Sequence, residues 1–291
     1  MSPSLPASAF TRPCASASSD SLTGMTDSGT IISLNPTPGE RVRVISDLHL
    51  GHERCEIPSV TSIASICEGT DYLVIAGDLA ETRRCAWQQR GMELREEFRA
   101  LCARKGVQLI ELAGNHDPDI TPMLLRLWDG NTAIMHGHAI FKEGAPWSWE
   151  YLRNKQACKQ LIAQHPEADT CLEARLELAR AMSRLIPPIM RREGISNPLL
   201  RSFMHCFWPP QRPYGIVQSW LTCGLRANRF ANQYLPDARN LILGHFHRSG
   251  TWRYGQRSIA NTGAWFRHAT PYYADLIDGR LTLYAPYPLA R

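Results

Sequence analysis

At 291 residues with 44% hydrophobic content, the chain can form one large α/β domain with an insertion, or two modest domains, around a sizeable core. Its net charge of +5 is unevenly placed: residues 139–239 carry fourteen Lys/Arg against eight Asp/Glu, which suits an anionic substrate, an acidic lipid surface, nucleic acid or simply a solvated helical face. No apolar run approaches the roughly 18 residues of a membrane-spanning helix, and nine scattered cysteines without CxxC spacing exclude a disulfide framework and a zinc ribbon and suit a reducing cytoplasm.

Residues 1–38 are rich in Ser, Pro, Thr and Ala, lack hydrophobic period, and read as a disordered tail with no secretory signal, Met25 offering an alternative start. A catalytic domain is expected over residues 39–291. RVRVIS, DYLVIAG and VQLIELAG are strand patterns, with a helix over residues 86–104 before the third, so βαβ units and a largely parallel sheet are predicted. TAIMHG and NLILGH add two strands. QRSIANTG and YYADLIDGRLTLYAPY add more, the latter folding at Asp278-Gly279 into a hairpin that makes the sheet mixed. Residues 141–237 form a largely helical insertion. Its first half has helical spacing, with Asp169 or Thr170 as N-cap and Pro187-Pro188 as a stop; its second half, with FMHCFWPP, is irregular. An insertion between two motif-bearing strands sets its base beside their ends, as a lid or substrate subdomain.

Five short motifs follow the strands in order: SDLHLG with Asp47 and His49, VIAGDLA with Asp78, LAGNHDP with Asn115, His116 and Asp117, IMHGH with His136, and LILGHFH with His245 and His247. Six of ten histidines fall inside them. Carboxylates, an amide and imidazoles together suit divalent cations of the Mn, Fe and Zn type. Asp47 and His49, two apart, would face the same way on a regular strand.

This ordered set resembles the calcineurin-like metallophosphoesterase superfamily over residues 43–263, the insertion excluded. The resemblance implies two mixed β-sheets packed face to face and flanked by helices. It also implies two divalent ions, with Mn favoured and Fe, Zn or Mg as alternatives: Asp47, His49, Asp78 and His247 around one, Asp78, Asn115, His136 and His245 around the other, Asp78 bridging. Within the superfamily, SDLHLG, the helical insertion and GHFHR followed by NTGAW look nearest to UDP-2,3-diacylglucosamine pyrophosphatases. The chain departs from them at His136-Gly137-His138, where those enzymes show HGD, and in AIFKEGAPW.

The chemistry so implied is hydrolysis of a phosphate ester or pyrophosphate by a hydroxide held between two cations. His116 is the candidate for protonating the leaving group, with Asp117 fixing its tautomer or else capping the turn at Pro118. Arg248 contacts a substrate phosphate or is simply exposed. His138 is left unassigned, aimed either into the cavity or at the insertion. Trp147, Trp149, Trp208 and Trp220 add stacking or interfacial character to the basic segment, so peripheral membrane or nucleic-acid contact is expected there, with no obligate protein partner. A nucleic-acid phosphodiesterase, a protein phosphatase and a non-catalytic scaffold are the rival readings.

Overall fold

The computed structural model describes residues 26–27, 29–185, 210–267 and 269–284. Two mixed β-sheets stack face to face with helices outside each.

The five-stranded sheet contains β3 (Arg41–Ile45), β4 (Tyr72–Ala76), β5 (Gln108–Leu112), β11 (Tyr273–Ile277) and β12 (Arg280–Tyr284), in the order β12-β11-β3-β4-β5. β3, β4 and β5 run parallel, while β11 is antiparallel to both β3 and β12. The seven-stranded sheet contains β1 (Thr26–Asp27), β2 (Ile31–Leu34), β6 (Leu124–Leu127), β7 (Thr132–Met135), β8 (Asn240–Leu243), β9 (Gly250–Tyr254) and β10 (Arg257–Asn261), in the order β1-β2-β6-β7-β8-β10-β9. Here β7, β8 and β10 are parallel neighbours.

Period-2 alternation explains the layers. In β4, Tyr72, Val74 and Ala76 join Val42, Val44, Leu125, Ile134 and Ile242 between the sheets. Leu73 and Ile75 point the other way, onto α1 (Gln88–Arg104), whose Leu94, Phe98, Leu101 and Cys102 recur at helical spacing. Across the outer face of β3, Arg43 is 3% exposed and grips Asp275 of β11 through Nε–Oδ1 at 2.7 Å and Nη2–Oδ2 at 2.8 Å, while Nη1 donates to the Ile66 carbonyl at 3.0 Å.

The predicted strands and the helix near residues 86–104 are present. The tail expected through residue 38 gives way earlier: Ile31–Leu34 forms β2, paired in parallel with β6 in the seven-stranded sheet. The insertion comprises α2 (Trp149–Arg153), α3 (Lys155–Ala163), α4 (Leu172–Leu185) and α5 (Gln211–Tyr234). Neither expected N-cap starts α4. Asp169 ends a short 3-10 turn, Thr170 donates its hydroxyl back to the Glu167 carbonyl, and α4 begins two residues later. The irregularity expected for the second half is overturned over Gln211–Tyr234, a continuous helix. Pro213 is tolerated there because it falls in the first turn, where an N–H has no intrahelical acceptor. Residues 1–25, Pro187-Pro188 and most of FMHCFWPP lie outside the described residues.

Leu172, Leu176 and Ala179 of α4 and Cys223, Ala227, Phe230 and Ala231 of α5 pack on Met135, Leu241 and Leu243 of the seven-stranded sheet. These two helices are therefore the outer layer of the fold itself. Arg175 of α4, buried, donates to the Ala139 and Ile140 carbonyls just past β7.

Candidate metal centre

All five motif loops leave the C-terminal ends of strands, three from one sheet (β3, β4, β5) and two from the other (β7, β8). The sandwich brings these ends together, and the loops bond to one another: Asp47 N–H to the Gly77 carbonyl at 3.2 Å, His49 N–H to the Asp78 carbonyl at 3.0 Å, and Gly244 N–H to the His136 carbonyl at 2.9 Å. Asp47 and His49 are not on a regular strand as their spacing suggested. Both take left-handed backbone, φ 54° and 48°, beyond the end of β3. Two glycines permit the crowding: a Cβ on Gly77 would lie 2.6 Å from the His136 ring, and one on Gly114 would overlap the Asp78 carboxylate.

Asp78 is the hub. Its Oδ2 faces His136 Nε2 at 3.3 Å and His49 Nε2 at 3.6 Å, while Oδ1 accepts the His116 backbone N–H at 2.8 Å. Asp47 faces His247 Nε2 at 3.2 Å and His49 Nε2 at 3.8 Å, and accepts the His245 backbone N–H at 2.9 Å. Asn115 Oδ1 lies 3.0 Å from His136 Nε2. Three groups, Asp47–His49–His247, His49–Asp78–His116 and Asp47–Asp78–His136, each offer ligand atoms within 4.8 Å of one another. His245 is buried with its ring 5.0 Å from that of His136, its Nε2 3.4 Å from the Gly144 carbonyl of the insertion. His138 is also buried, 5.3 Å from the His136 ring, and neither ring nitrogen has a hydrogen-bond partner among the described residues.

Electrostatics sort these groups. Burial would raise Asp47 and Asp78, but the surrounding imidazoles hold both below the usual carboxylate range. Burial would lower His136 and His116; Asp78 and Asp47 push His136 up to about 9, and Glu81 and Asp78 push His116 up to about 10. His49, His138 and His245 are driven down by burial, His245 to about 3.

The donor set fits cations. His49 Nδ1 lies 3.0 Å from Glu81 Oε1, so a neutral ring donates there and leaves an Nε2 lone pair; that Nε2 is buried, has no hydrogen-bond partner among the described residues, and faces the carboxylates of Asp47 and Asp78. His136 repeats the pattern: Nδ1 donates to the Ala76 carbonyl at 2.9 Å, and Nε2 is turned toward Asp78 and Asn115 oxygens. Lone pairs and carboxylates aimed at one another require a positive charge between them, a proton or a metal.

Two assignments change. Asp117 does not orient His116. Its carboxylate accepts the backbone N–H groups of Gly114 at 2.6 Å, Asp78 at 3.1 Å and Leu79 at 2.9 Å, tying the second and third motif loops together. The ring of His116 is held instead by Glu81, Oε2 to Nδ1 at 2.8 Å. Glu81, 2% exposed, thus serves two imidazoles with its two oxygens. Its only trace in the sequence is an acid three places after Asp78 in GDLAE. Arg248 is exposed, whereas Arg83, which no motif singled out, is half-buried against the Asn115 carbonyl at 3.4 Å. The insertion reaches the centre through Trp147, 5.7 Å from the His245 ring, and Trp220, which donates to the Phe246 carbonyl.

The family pattern described as calcineurin-like phosphoesterase matches residues 40–189, a span carrying the first four motifs. The chain belongs to the calcineurin-like phosphoesterase family. Similar solved structures include Vps29 of Entamoeba histolytica complexed with Zn2+ (13% identity, 84% of this chain and 97% of that chain, TM-score 0.38). A cold-active protein-tyrosine phosphatase of a psychrophilic Shewanella species is similar at 11% identity, over 86% of this chain and 78% of that one, with TM-score 0.41. So is a predicted phosphoesterase of Streptococcus pneumoniae TIGR4, at 11% identity over 86% of this chain and 100% of that one, with TM-score 0.33. No curated protein matches the chain. No helix among the described residues is long and apolar enough to cross a membrane.

Proposed function

We propose that this chain is a dinuclear metal-dependent phosphoesterase that hydrolyses a phosphate ester or pyrophosphate bond. The observation that carries the reading is the His49 ring, fixed by Glu81 with its unpartnered Nε2 turned to the Asp47 and Asp78 carboxylates. Asp47, His49, Asp78 and His247 would hold one ion, and Asp78, Asn115, His136 and His245 the other, with Mn2+ the favoured metal and Fe, Zn or Mg the alternatives. Bound cations supply Lewis acidity toward phosphoryl oxygens and a water acidic enough to act as nucleophile near neutral pH.

The chain's own groups do the rest. His116 has a side chain 34% exposed, and its Nδ1 is held by Glu81, which leaves Nε2 as the ring atom not engaged by that carboxylate. With its acidity set by Glu81 and Asp78 against burial, it is placed to give a proton to the leaving oxygen or to stabilise its charge. Glu81 fixes the ring; Asp117 fixes the loops that carry Asp78 and Asn115.

The test is to load the purified protein with Mn2+, measure metal per chain, and assay a chromogenic phosphomonoester and phosphodiester. Turnover that disappears in Asp78→Asn together with bound metal supports the proposal. A folded protein with confirmed metal that hydrolyses neither ester with Mn2+, Fe2+, Zn2+ or Mg2+ would leave the scaffold reading in its place.

A further inference from the structure

Helix α5 is apolar on two sides. Cys223, Ala227, Phe230 and Ala231 pack on the seven-stranded sheet. On the opposite side, at the three- and four-residue spacing of a helix, Tyr214, Val217, Leu221 and Leu225 face outward, Leu221 73% and Tyr214 68% exposed. Single exposed apolar side chains are ordinary, whereas four in one row mark an interaction surface. Arg229, one turn beyond Leu225 and also exposed, continues the row. Trp220 borders it and donates its indole N–H to the Phe246 carbonyl at 2.9 Å, inside the GHFH motif, so the stripe runs up to the rim of the candidate centre.

Charge narrows what this face meets. α5 contains no Asp or Glu, and residues 211–274 hold eight arginines, no lysine and one acid, Asp237, a balance of +7 against +5 for the whole chain. Arg229 and Arg248 are exposed and make no ion pair among the described residues. Nucleic acid would engage the arginines but gains little from aliphatic Val217, Leu221 and Leu225, which neither stack nor hydrogen-bond with bases. A second copy docked through the same helix would set two acid-free, arginine-bearing faces together, which like charges oppose. A bilayer surface with anionic headgroups suits both features: the aliphatic row enters the boundary between headgroups and acyl chains, and the guanidinium groups meet lipid phosphates.

We infer that the outer face of α5 docks the protein on an anionic lipid surface, with the candidate metal centre beside the contact. The peripheral contact expected anywhere along the basic segment is thereby assigned to one helix face. The inference stands apart from the phosphoesterase reading: vesicle binding by a chain that hydrolyses no ester keeps it, and hydrolysis by a chain that binds no vesicle sinks it alone.

Sedimentation of the full chain with vesicles is the test. The protein is expected to bind vesicles of phosphatidylcholine and phosphatidylglycerol in equal parts, and to bind phosphatidylcholine alone at least about tenfold more weakly. Leu221→Gln and Leu225→Gln in one chain should weaken binding to the anionic vesicles about tenfold or more, since two aliphatic side chains no longer enter the lipid. Both positions are exposed, so the unfolding midpoint and metal per chain should stay at the wild-type values. Arg229→Gln should weaken binding about fivefold, and added salt should weaken it in the wild type. Wild-type protein that stays in the supernatant with both kinds of vesicle would overturn the inference. So would equal binding to neutral and anionic vesicles, or a double variant that binds within twofold of wild type. Without vesicle binding, a wild-type dimer that the double variant disperses would give the face to a second copy, and a salt-steep affinity for single-stranded DNA would give it to nucleic acid; either result overturns the lipid reading. Should the double variant fail to fold, Arg229→Gln decides: a severalfold loss supports the docking face and unchanged binding removes it.

Discussion

Replacing Glu81 by Gln changes one atom and tests the logic of the whole centre. The carboxylate receives two imidazole N–H groups, His49 Nδ1 at 3.0 Å on Oε1 and His116 Nδ1 at 2.8 Å on Oε2. Glutamine offers one acceptor and one donor, so one of the two rings meets an NH2 group and must move its proton to Nε2. If that ring is His49, the proton lands on the nitrogen 3.8 Å from Asp47 and 3.6 Å from Asp78, and the lone pair needed by a cation is lost. If it is His116, the ring loses the charge that holds it in place. The first outcome should cost about 10–100-fold in metal affinity, the usual effect of losing an orienting partner behind a ligating histidine. That is about 1.4–2.7 kcal/mol, which matches one charge-assisted hydrogen bond. The second should lower kcat with metal retained. Metal affinity by competition with a chelating dye, read beside kcat, separates the two. Glu81→Gln with metal affinity and kcat both within twofold of wild type would refute the account of Glu81 as the residue that sets both rings.

His116→Ala keeps the backbone N–H that Asp78 accepts, so it should retain both ions while kcat falls about 10²–10⁴-fold, as loss of a general acid does; metal analysis and steady-state kinetics check this. In the metal-free protein His136 is raised from 6.5 to about 9. Its protonated form therefore contributes stability that is complete below pH 6.5 and is lost as pH rises through about 9. Metal uptake near neutral pH must displace that proton, so titrations in buffers of different ionisation enthalpy should show at least about one proton released per chain; uptake without proton release would contradict the His136 geometry. Asp275→Asn, which leaves buried Arg43 without its carboxylate, should destabilise the fold by about 3–5 kcal/mol in urea denaturation while metal per folded chain is unchanged.

Much of the candidate centre was legible because each motif directly follows a strand written in β-branched and aliphatic residues, so the candidate ligands had to collect at strand ends. What escaped was set by contacts distant in sequence. Ile31–Leu34 offers only three apolar residues around Ser33 in polar surroundings, and it becomes a strand by pairing with Leu124–Leu127, far along the chain. The helix Gln211–Tyr234 was hidden by Pro213, Gly215 and Gly224; its evidence in the structure is the buried side of Cys223, Ala227 and Phe230 against the sheet. Asp117 misled through adjacency. Next to His116 in sequence, its carboxylate instead turns inward to three amides. Glu81 and Arg83 look like ordinary loop charges until β4 and β5 bring their loops side by side.

The backbone at the candidate ligands joins fold to site. Among the described residues, Asp47, His49, Asp78, His245 and His247 all have positive φ, between 48° and 70°. For residues bearing a Cβ this conformation costs roughly 1–2 kcal/mol each. Such strain persists only where the surroundings over-determine it, and here they do: the His245 N–H is held by the Asp47 carboxylate, the His49 N–H by the Asp78 carbonyl and the Trp265 N–H by the Asp47 carbonyl. Two of these bonds, from His245 and Trp265 to Asp47, also join loops from the two sheets. A cation drawn to the converged oxygens and nitrogens would favour the folded chain by mass action, so a substitution that weakens metal binding must also lower the stability measured at a fixed metal concentration.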